Sequence, residues 1–259
     1  MPVPRALTIA SSDSGGGAGI QADLKAFAAV GVHGMSAIVA LTAQNTRTVT
    51  AVHELPPEFV VAQLDAVFDD IGVDAAKTGM LYSRPIVEAV AGYLADHPVP
   101  LVVDPVLVAS SGATLLQDDA VEALVRLLFP LASVVTPNLF EAIALVGDLG
   151  SRPKLAHAIR GLGAAAVIVT GGHGDPPVDL LYDGAEYLEI PVDRFETGAT
   201  HGAGCTHSAT LAALLARGLS LEDAARGAAR TAGEAVRRGL AELGAGEGPV
   251  DVFGIQGAA

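Results

Sequence analysis

Short apolar segments alternate with longer amphipathic segments along almost the whole chain. Several short segments are apolar at every position, which is typical of strands buried on both faces of a parallel sheet, and the longer segments have helical spacing. The predicted strands are Ala6–Ala10, Ser36–Ala43, Ala75–Thr78, Leu101–Asp104, Ser133–Thr136 and Val167–Thr170. The predicted helices are Ala18–Val30, Pro57–Ile71, Arg84–Asp96, Asp118–Leu128, Leu139–Val146, Pro153–Leu162, Cys205–Arg217 and Leu221–Leu240.

The pattern changes after Thr170, where Val178–Tyr182 and Glu186–Pro191 flank an Asp-Gly turn and predict a β-hairpin. The sheet is therefore expected to be mostly parallel, with an antiparallel portion near one edge. Because the sequence shows no repeat, linker or break in composition, we predict an α/β fold, a single three-layer αβα domain spanning residues 1–259. Ligands of such folds bind beyond the carboxyl ends of the strands.

Composition narrows the class of protein. Of 259 residues, 51% are hydrophobic and 4% aromatic, so Ala, Val, Leu and Ile build the core. A single cysteine excludes an intramolecular disulfide, the N-terminal apolar run is too short for a signal peptide, and no stretch has the ~18 apolar residues of a membrane span. We therefore expect a cytoplasmic protein without a membrane partner. A net charge of −14 with three lysines gives no basic face, which argues against a nucleic-acid partner.

A glycine-rich stretch lies where the seventh predicted helix begins, in the sequence THGAGCTHSA. The free N–H groups and the positive dipole end of a helix start form an anion site, and glycines let the backbone approach a phosphate closely. Gly202, Ala203 and Gly204 are therefore candidate catalytic residues, which would hold an anion that gains charge in a transition state. The alternative is a glycine turn that only tightens the helix start.

The only cysteine of the chain, Cys205, directly follows this stretch. At a helix N-terminus the pKa of a thiol falls from about 8.5 to roughly 3.5–7.5. Such a thiol is partly ionised near neutral pH and can accept a proton from a substrate hydroxyl. We therefore expect a lowered pKa and a catalytic role for Cys205; the alternative is a small buried hydrophobic residue.

Polar residues follow the first two predicted strands. The loop SSDSGGGAG lacks the GxGxxG spacing, and no acidic residue ends a second strand at the expected distance, so we exclude a dinucleotide-binding loop. Asp23, one turn into the next helix, is a candidate partner of an amine-bearing ligand or a favourable charge in a first helical turn. Gln44 can donate and accept at once, as an aminopyrimidine edge requires, or else it is a loop amide that bonds its own backbone.

Acidic residues follow two further strands. Asp104 ends the strand VVD, and Asn138 and Glu141 lie three residues apart at the start of a predicted helix. Carboxylates at one sheet edge can hold Mg²⁺ through water and phosphate oxygens, so we predict a magnesium site at Asp104 and Glu141. The alternatives are a helix N-cap for Asn138 and a favourable early acid for Glu141.

Two other chemistries are not supported. His201 and His207 are six residues apart, which is not a zinc-ligand spacing, and no cysteine pair accompanies them. No GxSxG motif follows a strand, which argues against a serine hydrolase.

The motifs occur together in one order: TIASSDSGGGAGIQADLK, AQNT, AAKTGML, VVDPVLVASSG, TPNLFEA, TGGHG and THGAGCTHSA. In this combination the chain resembles the hydroxymethylpyrimidine/phosphomethylpyrimidine kinases of thiamine biosynthesis, within the ribokinase-like superfamily. The resemblance extends from Ala6 to Gly248–Val250. It implies ATP-dependent phosphorylation of the hydroxymethyl group of 4-amino-5-hydroxymethyl-2-methylpyrimidine, followed by a second transfer onto the monophosphate.

The resemblance also implies roles for the matching residues. Asp23 and Gln44 would hold the aminopyrimidine, and Met80 would line its pocket. Gly202–Cys205 would form the anion hole, with Cys205 standing where most of the superfamily has an aspartate base. Mg²⁺ and ATP would be bound by Asp104, Asn138, Glu141, Thr170 and Thr206.

The chain departs from the family pattern at three places. Ser11 replaces a glycine beside the expected pyrimidine pocket, which makes it a substrate-binding candidate. Ser110, within Val108–Gly112, and Thr170 stand where lysines are expected. Because two cations are missing near a phosphate-binding edge, we expect the second phosphorylation to be affected more than the first.

Two other functions stay open at the level of sequence. A pyridoxal or pyridoxine kinase would share the fold and the phosphate chemistry, and a catalytically weak protein that senses a pyrimidine or a nucleotide would share the pocket. Gln44 favours the aminopyrimidine, and the anion hole favours an enzyme. A homodimer is expected from apolar strands near a sheet edge, and a monovalent-cation requirement is left open.

Overall fold

Nine strands form one sheet in the part of the chain that the structure describes. A computed structural model of the chain describes residues 2–107, 118–172 and 176–255. The strands are β1 Arg5–Asp13, β2 His33–Gln44, β3 Val49–Glu54, β4 Ala75–Thr78, β5 Leu101–Val103, β6 Val134–Val135, β7 Val167–Val169, β8 Val178–Tyr182 and β9 Tyr187–Pro191. Their order across the sheet is β3-β2-β1-β4-β5-β6-β7-β8-β9.

The six central strands of the sheet are parallel to one another: β2, β1, β4, β5, β6 and β7. The strands at both edges of the sheet are antiparallel to their neighbours. β3 pairs with β2, and β8 and β9 form the predicted hairpin beside β7. The expected antiparallel portion near one edge is therefore confirmed, and the antiparallel pairing of β3 at the opposite edge was not predicted. β3 has no counterpart among the predicted strands because its residues alternate between half-buried and exposed positions, so its sequence contains no apolar run.

The helices in the described ranges correspond closely to the predicted ones. They are α1 Gly19–Ala29, α2 Pro57–Asp70, α3 Arg84–Asp96, α4 Asp118–Ala123, α5 Leu139–Val146, α6 Arg152–Arg160, α7 Ala203–Ala216 and α8 Leu221–Arg237. α4 is shorter than predicted and continues as a π-helical turn, Leu124–Leu128, and a 3₁₀ turn, Phe129–Leu131. Pro130 in that last turn has no N–H with which to continue an α-helix. Among these helices, none combines the length and apolarity of a membrane span.

The helices cover both faces of the sheet. Phe27 of α1 and Ala209 of α7 share a buried cluster with Val102 of β5, whereas Leu64 of α2 packs in the cluster that contains Val103. Neighbouring residues of β5 therefore point to opposite faces, as strand geometry requires. α1, α7 and α8 cover one face and α2 to α6 the other, which confirms the predicted three-layer αβα fold.

The topology gathers several loops at one edge of the sheet. Because β1, β2, β4, β5, β6 and β7 are parallel, the loops after their carboxyl ends lie side by side. α7 begins at the same edge, since the Ser208 hydroxyl in its second turn donates a 2.7 Å hydrogen bond to Asp104, the residue after β5. A ligand at this edge therefore meets the ends of six parallel strands and the start of α7.

Candidate active site

A cavity of about 530 Å³ opens at this edge of the sheet. The predicted site residues that line it are Ser11, Gln44, Met80, Asp104, Asn138, Glu141, Thr170 and Gly202–Cys205. The first three lie in or after β1, β2 and β4, and the four from Asp104 to Thr170 follow β5, β6 and β7. We call these two regions the pyrimidine part, after the ligand expected there from the sequence, and the acidic part of the cavity. Asp23 and Thr206 do not line it.

The start of α7 leaves backbone amides open to the cavity. Gly202 is the N-cap, with a φ of 84° in the left-handed region, and it has no side chain to cap the first turn. A Cβ at this position would lie 1.8 Å from the carbonyl oxygen of Gly17, so the contact and the backbone conformation both require glycine. The uncapped amides and the positive end of α7 give the cavity an anion-binding end.

The Cys205 thiol is protonated at neutral pH, contrary to the sequence-based expectation. Burial raises the pKa of this thiol to about 12, and the carboxylates of Asp23 and Asp104 act in the same direction. Lys77 and the backbone amide of Gly19 lower the pKa, but they do not offset the burial. The predicted lowering is wrong because the helix start is outweighed by loss of solvent around the sulfur.

A buried ion pair forms part of the floor of the cavity, which Lys77 lines. Lys77 in β4 is fully buried, and its Nζ lies 2.9 and 3.0 Å from the two carboxylate oxygens of Asp23 in α1. The same Nζ lies 3.9 Å from Asp104 Oδ2. Burial alone would lower the pKa of Lys77, but Asp23, Cys205 and Asp104 raise it far above its ordinary value, so the ammonium group stays charged.

Asp23 therefore acts on the site through its ion pair with Lys77 and through the charge that it places near the Cys205 thiol. Its side chain is fully buried, and the Thr8 hydroxyl donates a further 2.6 Å hydrogen bond to its Oδ2. The predicted direct contact between Asp23 and an amine-bearing ligand has no support in this geometry. Sequence reasoning missed Lys77, although a lysine inside the short strand AAKT is a signal in itself, because a buried lysine needs a partner.

The acidic part of the cavity combines a helix cap with two carboxylates. Asn138 and Glu141 form a capping box at the start of α5, in which each side chain accepts a hydrogen bond from the backbone amide of the other. Burial, and after it the Asp104 carboxylate, raises the pKa of Glu141 to about 8. A buried carboxyl group whose ionisation is disfavoured by burial and by a neighbouring carboxylate leaves a place for a cation.

This donor set fits Mg²⁺. In the described ranges there is no group of three or more His, Cys, Asp or Glu side chains that could hold a metal ion by itself. Mg²⁺ needs only one or two carboxylates from the protein, because water and phosphate oxygens complete its coordination. The Thr136 hydroxyl, which lines the cavity, has no hydrogen-bond partner among the described residues and adds an unused polar atom there.

The two threonines predicted to contact the nucleotide lie in different environments. Thr170 lines the cavity, its amide donates to the Pro137 carbonyl, and it forms a β-bridge with Asn138. Thr206 is fully buried, and its hydroxyl has no partner among the described residues, so its predicted contact with the nucleotide lacks support. The segment Val108–Gly112, which lacks one of the expected lysines, lies outside the described residues.

The amide of Gln44 is held by two neighbours in the pyrimidine part. Its Oε1 accepts a 3.1 Å hydrogen bond from the Thr42 hydroxyl, and its Nε2 lies 3.4 Å from His201 Nε2. His201 also lies 3.1 Å from Asp13 Oδ2. Sequence reasoning considered His201 only as a zinc ligand and missed Asp13, since these partners come from opposite ends of the chain.

Ser11 supports the wall of the pyrimidine part. Its hydroxyl donates a 2.9 Å hydrogen bond to the carbonyl oxygen of Met80, and its backbone amide donates to the same oxygen. The Ser11 hydroxyl thus fixes the backbone of Met80 against the end of β1.

The fold and the cavity define a class of protein, the ribokinase-like kinases of small molecules. A pyridoxal kinase from Staphylococcus aureus, solved in complex with AMP-PCP and pyridoxal, has a TM-score of 0.88 and 36% identity, over 99% of this chain and 96% of its own. A phosphomethylpyrimidine kinase from Clostridium difficile 630 has a TM-score of 0.80 and 38% identity, over 91% of this chain and 100% of its own.

Sequence comparison then identifies the family. The phosphomethylpyrimidine kinase family model matches residues 13–251. A hydroxymethylpyrimidine/phosphomethylpyrimidine kinase from Rhizobium meliloti (strain 1021) is 50% identical, over 96% of each chain. The chain belongs to the phosphomethylpyrimidine kinase family, which confirms the predicted function, an ATP-dependent kinase of thiamine biosynthesis, at the level of the family.

Replacing Gly202 by alanine is expected to destabilise the protein by roughly 2 kcal/mol or more, because a Cβ fits neither the backbone conformation nor the contact with Gly17. Urea denaturation of the two proteins measures the effect. Gly204→Ala is the matched control, since its Cβ would meet nothing within 4 Å and lies in the first turn of the same helix. Equal losses of stability in the two variants would contradict the close contact at Gly202.

Alkylation of Cys205 by iodoacetamide is expected to be about 100-fold or more slower at pH 7.5 than alkylation of free cysteine, because the thiolate is the reactive form. The rate should keep rising above pH 10, where an ordinary thiol is already fully ionised. The chain has one cysteine, so mass spectrometry reports this site alone. The urea-unfolded chain is the control and should react at the ordinary rate; fast labelling of the folded protein at pH 7.5 would refute the raised pKa.

Proposed function

We propose that this chain transfers the γ-phosphoryl group of ATP to the hydroxymethyl oxygen of 4-amino-5-hydroxymethyl-2-methylpyrimidine and then phosphorylates the monophosphate, with residues 1–259 acting as one kinase domain. The position of the α7 start carries this proposal. Gly202 touches the glycine loop beside the pyrimidine part, and Ser208 bonds Asp104 in the acidic part. The anion-binding amides thus lie between the place for the alcohol and the place for the nucleotide.

Each part of the cavity has a proposed role in the transfer. The α7 start at Gly202–Cys205 stabilises the negative charge that spreads over the oxygens of the migrating group. It acts through the positive end of the helix and through amides other than that of Ala203, which donates to the Thr200 carbonyl oxygen. Gln44 orients the aminopyrimidine, since its amide presents a donor and an acceptor together. Asp104 and Glu141 would hold Mg²⁺, which neutralises phosphate charge when bound, and Asn138 and Thr170 line the space for the nucleotide.

Cys205 is proposed to contact the acceptor hydroxyl. The Cys205 thiol is protonated in most molecules of the free protein. Only the small fraction of molecules in which this thiol is ionised can accept the proton of the alcohol. Lys77 is the side chain that lowers the pKa of this thiol, so it favours that fraction. Since phosphoryl transfer passes through a loose transition state, electrostatic stabilisation contributes more than the base.

Two further features belong to the same proposal. A cytoplasmic location is supported by the single thiol and the absence of any cysteine pair. A homodimer is supported by the edge position of β3 and by Phe59 and Leu41, large apolar side chains exposed near that edge. Both lie outside the chemistry of the cavity.

A pyridoxal kinase is the second candidate, because solved pyridoxal kinases share the fold at 36% identity. We expect kcat/KM for the hydroxymethylpyrimidine to exceed that for pyridoxal by at least about tenfold, since a mismatched buried amide costs binding energy. Coupled assays with both alcohols, and separation of the mono- and diphosphate products, test this expectation. Faster turnover of pyridoxal would overturn the proposal, and nucleotide binding without ADP formation would favour a sensor.

Substitution of Cys205 separates its chemical role from the anion hole. We expect Cys205→Ala to lower kcat by about 100-fold and Cys205→Ser by about tenfold, because serine keeps a hydroxyl that can hydrogen-bond the acceptor. Steady-state kinetics at saturating pyrimidine and ATP measure both. Unchanged kcat in both variants would remove Cys205 from the mechanism.

A further inference from the structure

A second buried pair lies behind the acidic part of the cavity. His207 in α7 and Asp179 in β8 are 5% and 3% exposed, and His207 Nε2 lies 3.1 Å from Asp179 Oδ2. Neither side chain lines the cavity, and the mechanism above uses neither. Burying two polar side chains costs free energy unless both are hydrogen-bonded, so their further contacts show what they hold in place.

The other oxygen of the same carboxylate holds the loop that follows β7. Asp179 Oδ1 accepts a 2.7 Å hydrogen bond from the backbone amide of Gly171. A Cβ at Gly171 would lie 2.0 Å from the carbonyl oxygen of Val178, so this part of the loop is pressed against the start of β8. Gly171 directly follows Thr170, which lines the cavity.

His207 connects this loop to the anion-binding helix. It lies two residues after Cys205, inside the rigid first turns of α7. A single carboxylate therefore links the α7 start, through the imidazole, to the Thr170–Gly171 segment, through the amide. The Nδ1 atom of His207 has no hydrogen-bond partner among the described residues, so the pair is not arranged for the greatest stability alone.

We propose that His207 and Asp179 are positioning residues for the nucleotide. They fix the separation between the α7 start and the Thr170–Gly171 segment, two walls of the space in which the triphosphate lies. This inference rests on the proposed function, since it takes ATP to occupy the acidic part of the cavity. The pyrimidine part is held by other groups, so its affinity should not depend on the pair.

Kinetics of four variants test the proposal. His207→Leu and Asp179→Ala break the link, and we expect each to raise the KM for ATP by about tenfold, the effect of losing one buried hydrogen bond. His207→Gln keeps an N–H donor near the position of Nε2, and Asp179→Asn keeps an acceptor for Gly171. These two variants should stay within about threefold of the unchanged protein. In all four the KM for the pyrimidine should change by less than about twofold.

Thr210→Val is the matched control. Thr210 is fully buried in α7, one turn after Thr206, and its hydroxyl donates to the Thr206 carbonyl. This variant removes a buried hydrogen bond from the same helix without touching the link, so it should lower the melting temperature and leave the KM for ATP unchanged. Amide hydrogen exchange at Gly171 should accelerate in Asp179→Ala and not in Thr210→Val.

The outcomes separate the inference from the proposed function. If the unchanged protein phosphorylates the pyrimidine, and His207→Leu and Asp179→Ala raise the KM for ATP no more than Thr210→Val, the inference is refuted and the function stands. Equal increases in both KM values would also refute it. If Asp179→Ala does not fold, the contrast between His207→Leu and His207→Gln decides. If the unchanged protein shows no transfer, the proposed function fails first.

Discussion

One buried positive charge, that of Lys77, holds together the layers that build the site. From β4 in the middle of the sheet it reaches Asp23 of α1 and Asp104 after β5, and it acts on the thiol of Cys205 in α7. A buried ammonium group is tolerated only when anions compensate it, and the carboxylates in turn need the cation. Helix α1, the sheet and the anion-binding start of α7 are therefore mutually dependent at this point, on the floor of the cavity.

The central sheet could be predicted from the sequence because its strands contain short runs of mostly apolar residues. β4 and β8 have the predicted bounds, whereas the edge strand β3 is half-exposed and depends on pairing with β2 for its existence. Residues next to strand ends, such as Gln44 and Asp104, were found because the topology of parallel sheets gathers those ends in one place.

The partners of the site residues could not be found in the same way. Lys77 and Asp23 are 54 residues apart, and His201 and Asp13 are 188 apart, so nothing in the local pattern joins them. The prediction that Cys205 is partly ionised was wrong for a related reason. A helix start is a local feature that the sequence displays, but burial of the sulfur depends on elements from the whole chain, and burial has the larger effect.

The capping box at the start of α5 has a consequence for how this protein can evolve. Asn138 and Glu141 form the cap of a helix end and also line the acidic part of the cavity. An exchange that improved the cap alone would remove a carboxylate from the cavity, and one that suited a different ion would fray the helix. Exchange at these two positions is therefore restricted twice over, once by the helix end and once by the cation site proposed for the acidic part of the cavity.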